Sequence, residues 1–426
     1  MAASSIRGLR ARQIFDSRGR PTVEADVELE DGRMGRAAVP SGASTGKHEA
    51  HELRDGDPQV YGGLGVLQAV RNLNGAIAPA VTGYDVHDQA TLDSTMRALD
   101  GTPRLERLGA NAILAVSMAA CRAAAAFDGV PLYVHIAQLA GVAQPTLPMP
   151  MINILSGGAH ARRGMDVQDF LVIPTGASTL DEALRTVAAV RAAAGRLLAD
   201  EGKSTLLADE GGFSPGFETA QEALEFMVRA IVAAGLRPGE DVSIAMDVAA
   251  TQLVNALGDY VLRREGRTLT TAEMIAHVVG WVDRFPIVSI EDALAEDDWD
   301  GWRTLTERLG GRIQLLGDDL FCTNTARIRQ GIETGVANAV LIKLNQIGTI
   351  SDTLAALVLA RSAGYRTVVS ARSGETEDAF IADLAVGSAA GQIKVGSLSS
   401  SERMAKYNQL VRIQETLGEA QFSRGL

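Results

Sequence analysis

Short apolar runs, each ending in a charged or polar residue, recur along the chain from about residue 145. Ile244-Ala245-Met246 runs into Asp247, Ile287-Val288-Ser289-Ile290 into Glu291, and Ile313-Gln314-Leu315-Leu316-Gly317 into Asp318. Val340-Leu341-Ile342 ends at Lys343, and Thr367-Val368-Val369-Ser370 leads to Arg372. From Glu291 onward these ends are 27, 25 and 29 residues apart, about the length of one strand–helix unit. The segments between them carry helical signals. Thr270-Thr271-Ala272-Glu273 is a capping box, followed by Met274, Val278 and Val282 at i, i+4 and i+8. Leu354 to Ala363 is mostly apolar and Gly364 is placed to stop it. Parallel strands alternating with helices over this many repeats predict an α/β protein with a (β/α)8-type barrel.

The earlier part of the chain reads differently. Residues 22–29, Thr-Val-Glu-Ala-Asp-Val-Glu-Leu, alternate as a half-buried strand does. An Ala-rich helix is expected over Ala110 to Phe127, with Gly109 just before it. Between them Pro40-Ser41-Gly42-Ala43-Ser44-Thr45-Gly46 reads as a mobile loop of the kind that closes active sites. The division expected is an α+β domain over 1–140 and the barrel, with the active site, over 141–426.

Composition narrows the partners. Lys and Arg total 40 against 52 Asp and Glu, a net charge of -12. An acidic surface argues against nucleic acid or an anionic membrane, so an anionic substrate needs local positive charge from Lys, Arg or metal ions. The apolar fraction is 46% with only 4% aromatic, so the core is built from Ala, Val, Leu and Ile. The two cysteines, Cys121 and Cys322, form no C-x-x-C motif. Met1 to Arg12 holds three arginines and no apolar stretch of a secretion signal. The most apolar run, Ala112 to Ala120, is stopped by Arg122 and reads as too short to cross a bilayer. A cytoplasmic protein is the expectation.

Strand ends of a barrel carry its chemistry, and Asp247, Glu291, Asp318 and Lys343 fall there. Convergent carboxylates without a Cys or His ring suit a hard cation with oxygen ligands, which favours magnesium. A lysine beside such a site, its pKa lowered by burial and nearby cations, acts as a base on a carbon alpha to a carboxylate. Cations then stabilise the dianion that forms. Asp209-Glu210-Gly211-Gly212 offers an acid for the opposite face.

Taken together the motifs resemble the enolase family over essentially the whole chain. They are Asp16-Ser17-Arg18-Gly19, Ser41-Gly42-Ala43-Ser44-Thr45-Gly46, Asp209-Glu210-Gly211-Gly212, Ser289-Ile290-Glu291-Asp292, Gly317-Asp318-Asp319-Leu320, Lys343-Leu344-Asn345-Gln346-Ile347-Gly348, Ser373-Gly374-Glu375-Thr376-Glu377-Asp378 and Gln392-Ile393-Lys394. The resemblance implies an N-terminal α+β domain capping a modified barrel. It implies Asp247, Glu291 and Asp318 as ligands of a tightly held Mg2+, and Ser44 helping to hold a second that arrives with substrate. Lys343 would remove the alpha proton and Glu210 would protonate the departing hydroxyl. Lys394 would contact the substrate, Arg372 and Ser373 would bind the phosphoryl group, and His160, Gln168 and Asp169 would line the pocket. Enolases interconvert 2-phosphoglycerate and phosphoenolpyruvate in glycolysis and assemble as dimers or octamers. Glu24 and Arg412 look similar to a subunit-bridging ion pair of the family.

The chain departs from that pattern in places. The usual Ser-His-Arg-Ser is Ser370-Ala371-Arg372-Ser373, Gln-Glu-Phe is Gln168-Asp169-Phe170, and Asn-Gly-Gly is Ser156-Gly157-Gly158. Arg162-Arg163 stands where small or acidic residues are typical, and Lys-Thr-Gly is Lys394-Val395-Gly396. Three readings follow: an ordinary enolase that has drifted, a specialised paralogue such as carboxyphosphonoenolpyruvate synthase acting with a phosphonoformate donor, or a non-catalytic binding protein that kept the fold.

Overall fold

The computed structural model describes residues 2–42, 46–161, 164–418 and 421–426. Ser44 and the Arg162-Arg163 pair, singled out above, lie outside the described residues.

The chain opens with an antiparallel sheet of β1 (Ile6–Phe15), β2 (Pro21–Leu29) and β3 (Met34–Ala38), β2 in the middle. Val23, Ala25, Val27 and Leu29 are buried on one face of β2, as their alternation predicts. The helix Ala110–Asp128 packs on this face. Its backbone comes so close that a Cβ at Gly35 would lie 2.0 Å from the Ala119 carbonyl oxygen, so β3 needs glycine there. This helix is longer than its most apolar run. At 19 residues and mean hydropathy 1.5 it passes a length-and-composition test for a membrane span. Arg122 does not stop it, because the guanidinium reaches out of the helix to the Arg36 carbonyl (2.6 Å) and the Asp378 carboxylate (2.6 and 2.7 Å). It is a core helix, since 83% of that window is buried.

The rest of the chain forms a closed eight-stranded barrel. Its strands are β4 (Met149–Ser156), β5 (Asp169–Ile173), β6 (Ser243–Asp247), β9 (Ile287–Glu291), β10 (Gln314–Gly317), β11 (Ala339–Ile342), β12 (Arg366–Ser370) and β13 (Gly391–Gly396). A small hairpin of β7 (Tyr260–Leu262) and β8 (Arg267–Leu269) stands apart between β6 and β9. Flanking helices include Thr271–Arg284, Trp299–Leu309, Thr325–Thr334 and Ile350–Ser362. The capping box predicted at Thr270 and Glu273 is formed.

The repeat pattern predicted a parallel barrel, and the structure departs from that at one strand. β5 runs antiparallel to both β4 and β6. The reason is the connection: β4 reaches β5 through residues 157–168, with only the short 3-10 turn Gly158–Ala161 on the way. A parallel return is normally carried by a full helix packed on the sheet, and this connection has none. The reversal has a consequence for the site. The first residue of β5, Asp169, sits at the same end of the barrel as the last residue of β6, Asp247, with which it is paired in register. Met149, Met151, Leu171, Ile173, Ala245, Leu316, Ala339, Leu341 and Val368, all on barrel strands, form an apolar cluster of their own. The barrel is therefore a packed core with chemistry at one mouth only.

Candidate active site

Asp247, Glu291, Asp318, Lys343, Arg372 and Lys394 are all delivered to this mouth by the ends of successive strands, and all but half-buried Lys343 are nearly inaccessible. Lys394 Nζ donates to Asp247 Oδ2 and to Glu291 Oε2, each at 2.8 Å. Lys343 Nζ donates to Asp318 Oδ2 at 2.5 Å. Gln346 Nε2 donates to the other Asp318 oxygen at 2.8 Å, and Gln168 Nε2 donates to Asp247 Oδ2 at 3.1 Å. Glu291 Oε1 is buried with no hydrogen-bond partner. A buried carboxylate oxygen without a donor is costly and calls for a ligand.

The electrostatics agree. Burial, and then the charge of Asp247, lifts the Glu291 carboxyl well above the usual carboxylate range. Burial and Asp319 do the same to Asp292, and burial with Asp318 pushes Asp319 up to about 8. Asp292, Asp318 and Asp319 bring ligand atoms within 4.8 Å of one another. Negative charge at this mouth thus exceeds what the two ammonium groups neutralise. Burial opposes the charge of each lysine, yet Asp247 and Glu291 hold Lys394 far above its ordinary value, and Asp318 holds Lys343 above its own. The neutral lysine expected from the sequence is therefore not the state seen here. The carboxylate beside Lys343 outweighs burial in favouring the ammonium, and Lys343 in turn outweighs burial in holding the Asp318 carboxyl below its usual range. All-oxygen donors, the orphaned Glu291 oxygen and the surplus charge fit a divalent cation.

A second cluster forms the adjoining wall. His160, Asp169 and Glu210 also place ligand atoms within 4.8 Å of one another. His160 Nδ1 is 2.9 Å from Asp169 Oδ2, and its Nε2 is 3.7 Å from Glu210 Oε1. The other oxygen of Asp169 accepts from Asn153 Nδ2 at 2.6 Å and from Ser156 Oγ at 2.8 Å. Burial works against the imidazolium, but Asp169 and Glu210 together raise His160 to about 9. Burial likewise works against the Glu210 carboxylate, and His160 outweighs it, holding that carboxyl below its usual range. The Glu210 loop is clamped from behind. Ser397 N donates to the Glu210 carbonyl at 2.8 Å, and Gly396 (φ 110°) leaves no room for a Cβ, which would lie 2.8 Å from that same oxygen.

At the third side Arg372 is bound by Glu49, with Nη1 to Oε2 at 2.9 Å and Nη2 to Oε1 at 3.2 Å, and by Asn345 Oδ1 at 2.9 Å. Ser373 Oγ accepts from Arg18 at 3.3 Å. Arg18 also donates to the carbonyls of Ser41 and Gly42, and Ser41 and Gly374 exchange backbone hydrogen bonds of 2.8 and 2.9 Å. The Asp16-Ser17-Arg18-Gly19 motif thus ties Ser41 and Gly42 to Ser373, just after β12.

The enolase C-terminal TIM barrel domain matches residues 144–425, and the enolase N-terminal domain matches residues 6–136. The chain belongs to the enolase family. It is an enzyme of the enolase superfamily by that membership, with acidic clusters able to hold metal. Its departures from the family pattern can now be located. Ala371 is buried at the end of β12, with its N–H donating to the Lys394 carbonyl at 2.9 Å. Ser156 and Asp169, two of the other changes, are in direct contact.

The motif reading missed four residues of this enolase site: Glu49, which holds Arg372; Asp292, whose carboxylate accepts from the N–H groups of Asp318 (3.0 Å) and Asp319 (2.8 Å); Gln346 on Asp318; and Asn153 on Asp169. Asp292 and Gln346 lie inside quoted motifs and were within reach. Glu24 and Arg412 do not pair within the chain: Glu24 is bound by Arg12, and Arg412 donates to Gln409 at 3.4 Å.

Proposed function

We propose that this enolase-family enzyme is a magnesium-dependent lyase that interconverts 2-phosphoglycerate and phosphoenolpyruvate through an enolate. The observation that carries the reading is the buried pair of ammonium groups on Asp247, Glu291 and Asp318, with Glu291 Oε1 left unpartnered. Asp247, Glu291 and Asp318 would hold one Mg2+, with Ser44 contributing to a second. When bound, magnesium supplies the positive charge that stabilises the substrate carboxylate as it becomes a dianion. Lys394, held between Asp247 and Glu291 at the mouth, would contact the substrate. Lys343, in its deprotonated form, would take the alpha proton. Arg372, with Ser373, receives the phosphoryl group by a planar fork of donors already held in place by Glu49 and Asn345. The wall of His160, Asp169 and Glu210, with Gln168, faces the leaving hydroxyl.

The test is dehydration of 2-phosphoglycerate followed by the ultraviolet absorbance of the enol carboxylate, with and without magnesium. Absence of both dehydration and exchange of the alpha proton overturns the reading. A second reading, a carboxyphosphonoenolpyruvate synthase-like paralogue acting on a phosphonylated donor, is favoured by Ala371. A small buried methyl stands where the family carries an imidazole beside the leaving group. Phosphonoformate donors belong in the same assay. A cytoplasmic homodimer or octamer built through Glu24 and Arg412 is part of the proposal, and sedimentation of Arg412→Glu tests it.

A further inference from the structure

Two of the chain's departures from its family touch each other. The resemblance to the family implies a glutamate, one methylene longer, where Asp169 stands and an asparagine where Ser156 stands. In this structure the Ser156 hydroxyl donates to Asp169 Oδ1 at 2.8 Å, and Asn153 Nδ2 donates to both of them, at 3.0 Å to the hydroxyl and 2.6 Å to the carboxylate. The second Asp169 oxygen carries His160 Nδ1 at 2.9 Å, and the far nitrogen of that ring faces Glu210 at 3.7 Å. Five side chains therefore form one continuous polar line, all of them nearly inaccessible: Ser156, Asn153 and Asp169 are 0% exposed, Glu210 6% and His160 8%. The enclosure round the serine is tight. A Cβ on Gly212 would lie 2.6 Å from Ser156 Oγ and 2.7 Å from Asn153 Oδ1, and a Cβ on Gly157 would lie 2.4 Å from the Val167 carbonyl. A side chain this confined cannot drift in length unless its partner changes with it.

We propose that Ser156 is a positioning residue matched to the shortened Asp169, and that the two act as one unit aiming His160 at Glu210. The shorter carboxylate is drawn back toward β4, and the serine meets it there with a donor that takes less room than a carboxamide. The pair fixes the Asp169 oxygen that holds the His160 ring, so that ring keeps one orientation on the leaving-group side of the site. On that side Ala371 provides no imidazole, and His160 is the imidazole that remains. This inference rests on the proposed enolate chemistry for its kinetic readout, but its structural readout does not.

The experiment compares the wild type with Ser156→Asn, Asp169→Glu and the double variant, with Ser156→Ala as the small control. Two quantities are read: the ratio of elimination to alpha-proton exchange with 2-phosphoglycerate, and the nitrogen-15 and downfield proton shifts of the His160 ring, assigned by their loss in His160→Asn. Each single change is expected to lower the ratio at least about tenfold and move the His160 signals. The double variant, which restores the family's pair, is expected to recover both to near the wild-type values. Ser156→Ala should lower the ratio and shift the ring signals while leaving KM unchanged. Strictly multiplicative single effects, or ring signals indifferent to Ser156→Ala, overturn the proposal. Loss of all exchange in the wild type sinks the reading of the reaction instead, and the ring signals then decide the pairing alone.

Discussion

The floor and the wall of this site are both buried, charged and hydrogen-bonded, yet they are built on opposite plans. On the floor, Asp247, Glu291 and Asp318 are paired with the tips of two long side chains, and one carboxylate oxygen has no donor at all. Lysine tips are movable and strongly hydrated charges. Such an arrangement is suited to exchange its ammonium groups for a cation. On the wall, Asp169 has three donors, from Asn153, Ser156 and His160, and none of them is a flexible cation. That arrangement is suited to hold one geometry.

The largest effect should come from the floor. Lys343→Ala is expected to slow exchange of the alpha proton of 2-phosphoglycerate by about 10⁴-fold, while phosphorylated-ligand binding persists through Arg372. Deuterium wash-in at the normal rate would show that the base lies elsewhere.

Lys394→Met leaves Asp247 and Glu291 buried without a counter-charge. Breaking such a pair costs about 3–5 kcal/mol, so the chelator-treated variant should melt well below the wild type. Added magnesium should return much of the loss, because the ion takes the place of the ammonium. Equal melting of the chelated and magnesium-treated variant would break the contrast between an exchangeable floor and a fixed wall.

The wall makes its own prediction in pH. His160 titrates at about 9 in the folded chain, against about 6.5 when unfolded. A raised pKa contributes stability that is fully present below the unfolded value and is lost as pH rises through the folded one. The expected contribution is about 3 kcal/mol below pH 6.5, fading by about pH 9. Denaturant midpoints of the wild type and His160→Asn, compared at pH 6 and at pH 9.5, should differ more at the lower pH. A constant difference would mean that Asp169 and Glu210 do not hold the imidazolium.

Asp318→Asn should weaken magnesium binding by at least about tenfold, since one ligand charge is removed; unchanged calorimetric affinity would take Asp318 out of the metal site. The smallest effect is at the lip of the wall. Restoring an imidazole with Ala371→His should raise elimination of 2-phosphoglycerate relative to exchange by about tenfold, at the low end of general acid help. If the wild type already eliminates as fast as it exchanges, and histidine adds nothing, the missing side chain is harmless.

Much of this site was legible along the chain. A buried parallel strand is a short apolar run, and the first polar residue after it stands at the mouth of the barrel, so Asp247, Glu291, Asp318 and Lys343 could be read off in order. Asp169 could not be placed that way. It begins a strand and does not end one, and it reaches the mouth only because β5 runs backwards between β4 and β6. Glu49 carried no signal either, being 323 residues from the Arg372 it holds.

What the sequence determined by itself was the set of elements and the identity of the chemical groups. Periodicity, caps and turn residues act over a few neighbours, and they specified the strand and helix positions and the acids, lysines and loops that go with them. What only the tertiary structure decided was which of those groups meet and in what state. Barrel closure set Lys394 between two carboxylates, the reversed strand set Asp169 against Ser156 and His160, and neighbouring charges, working against burial, favour the charged forms of Lys343 and Glu210. Those outcomes depend on distance and on exclusion of water, neither of which is a local property of the chain.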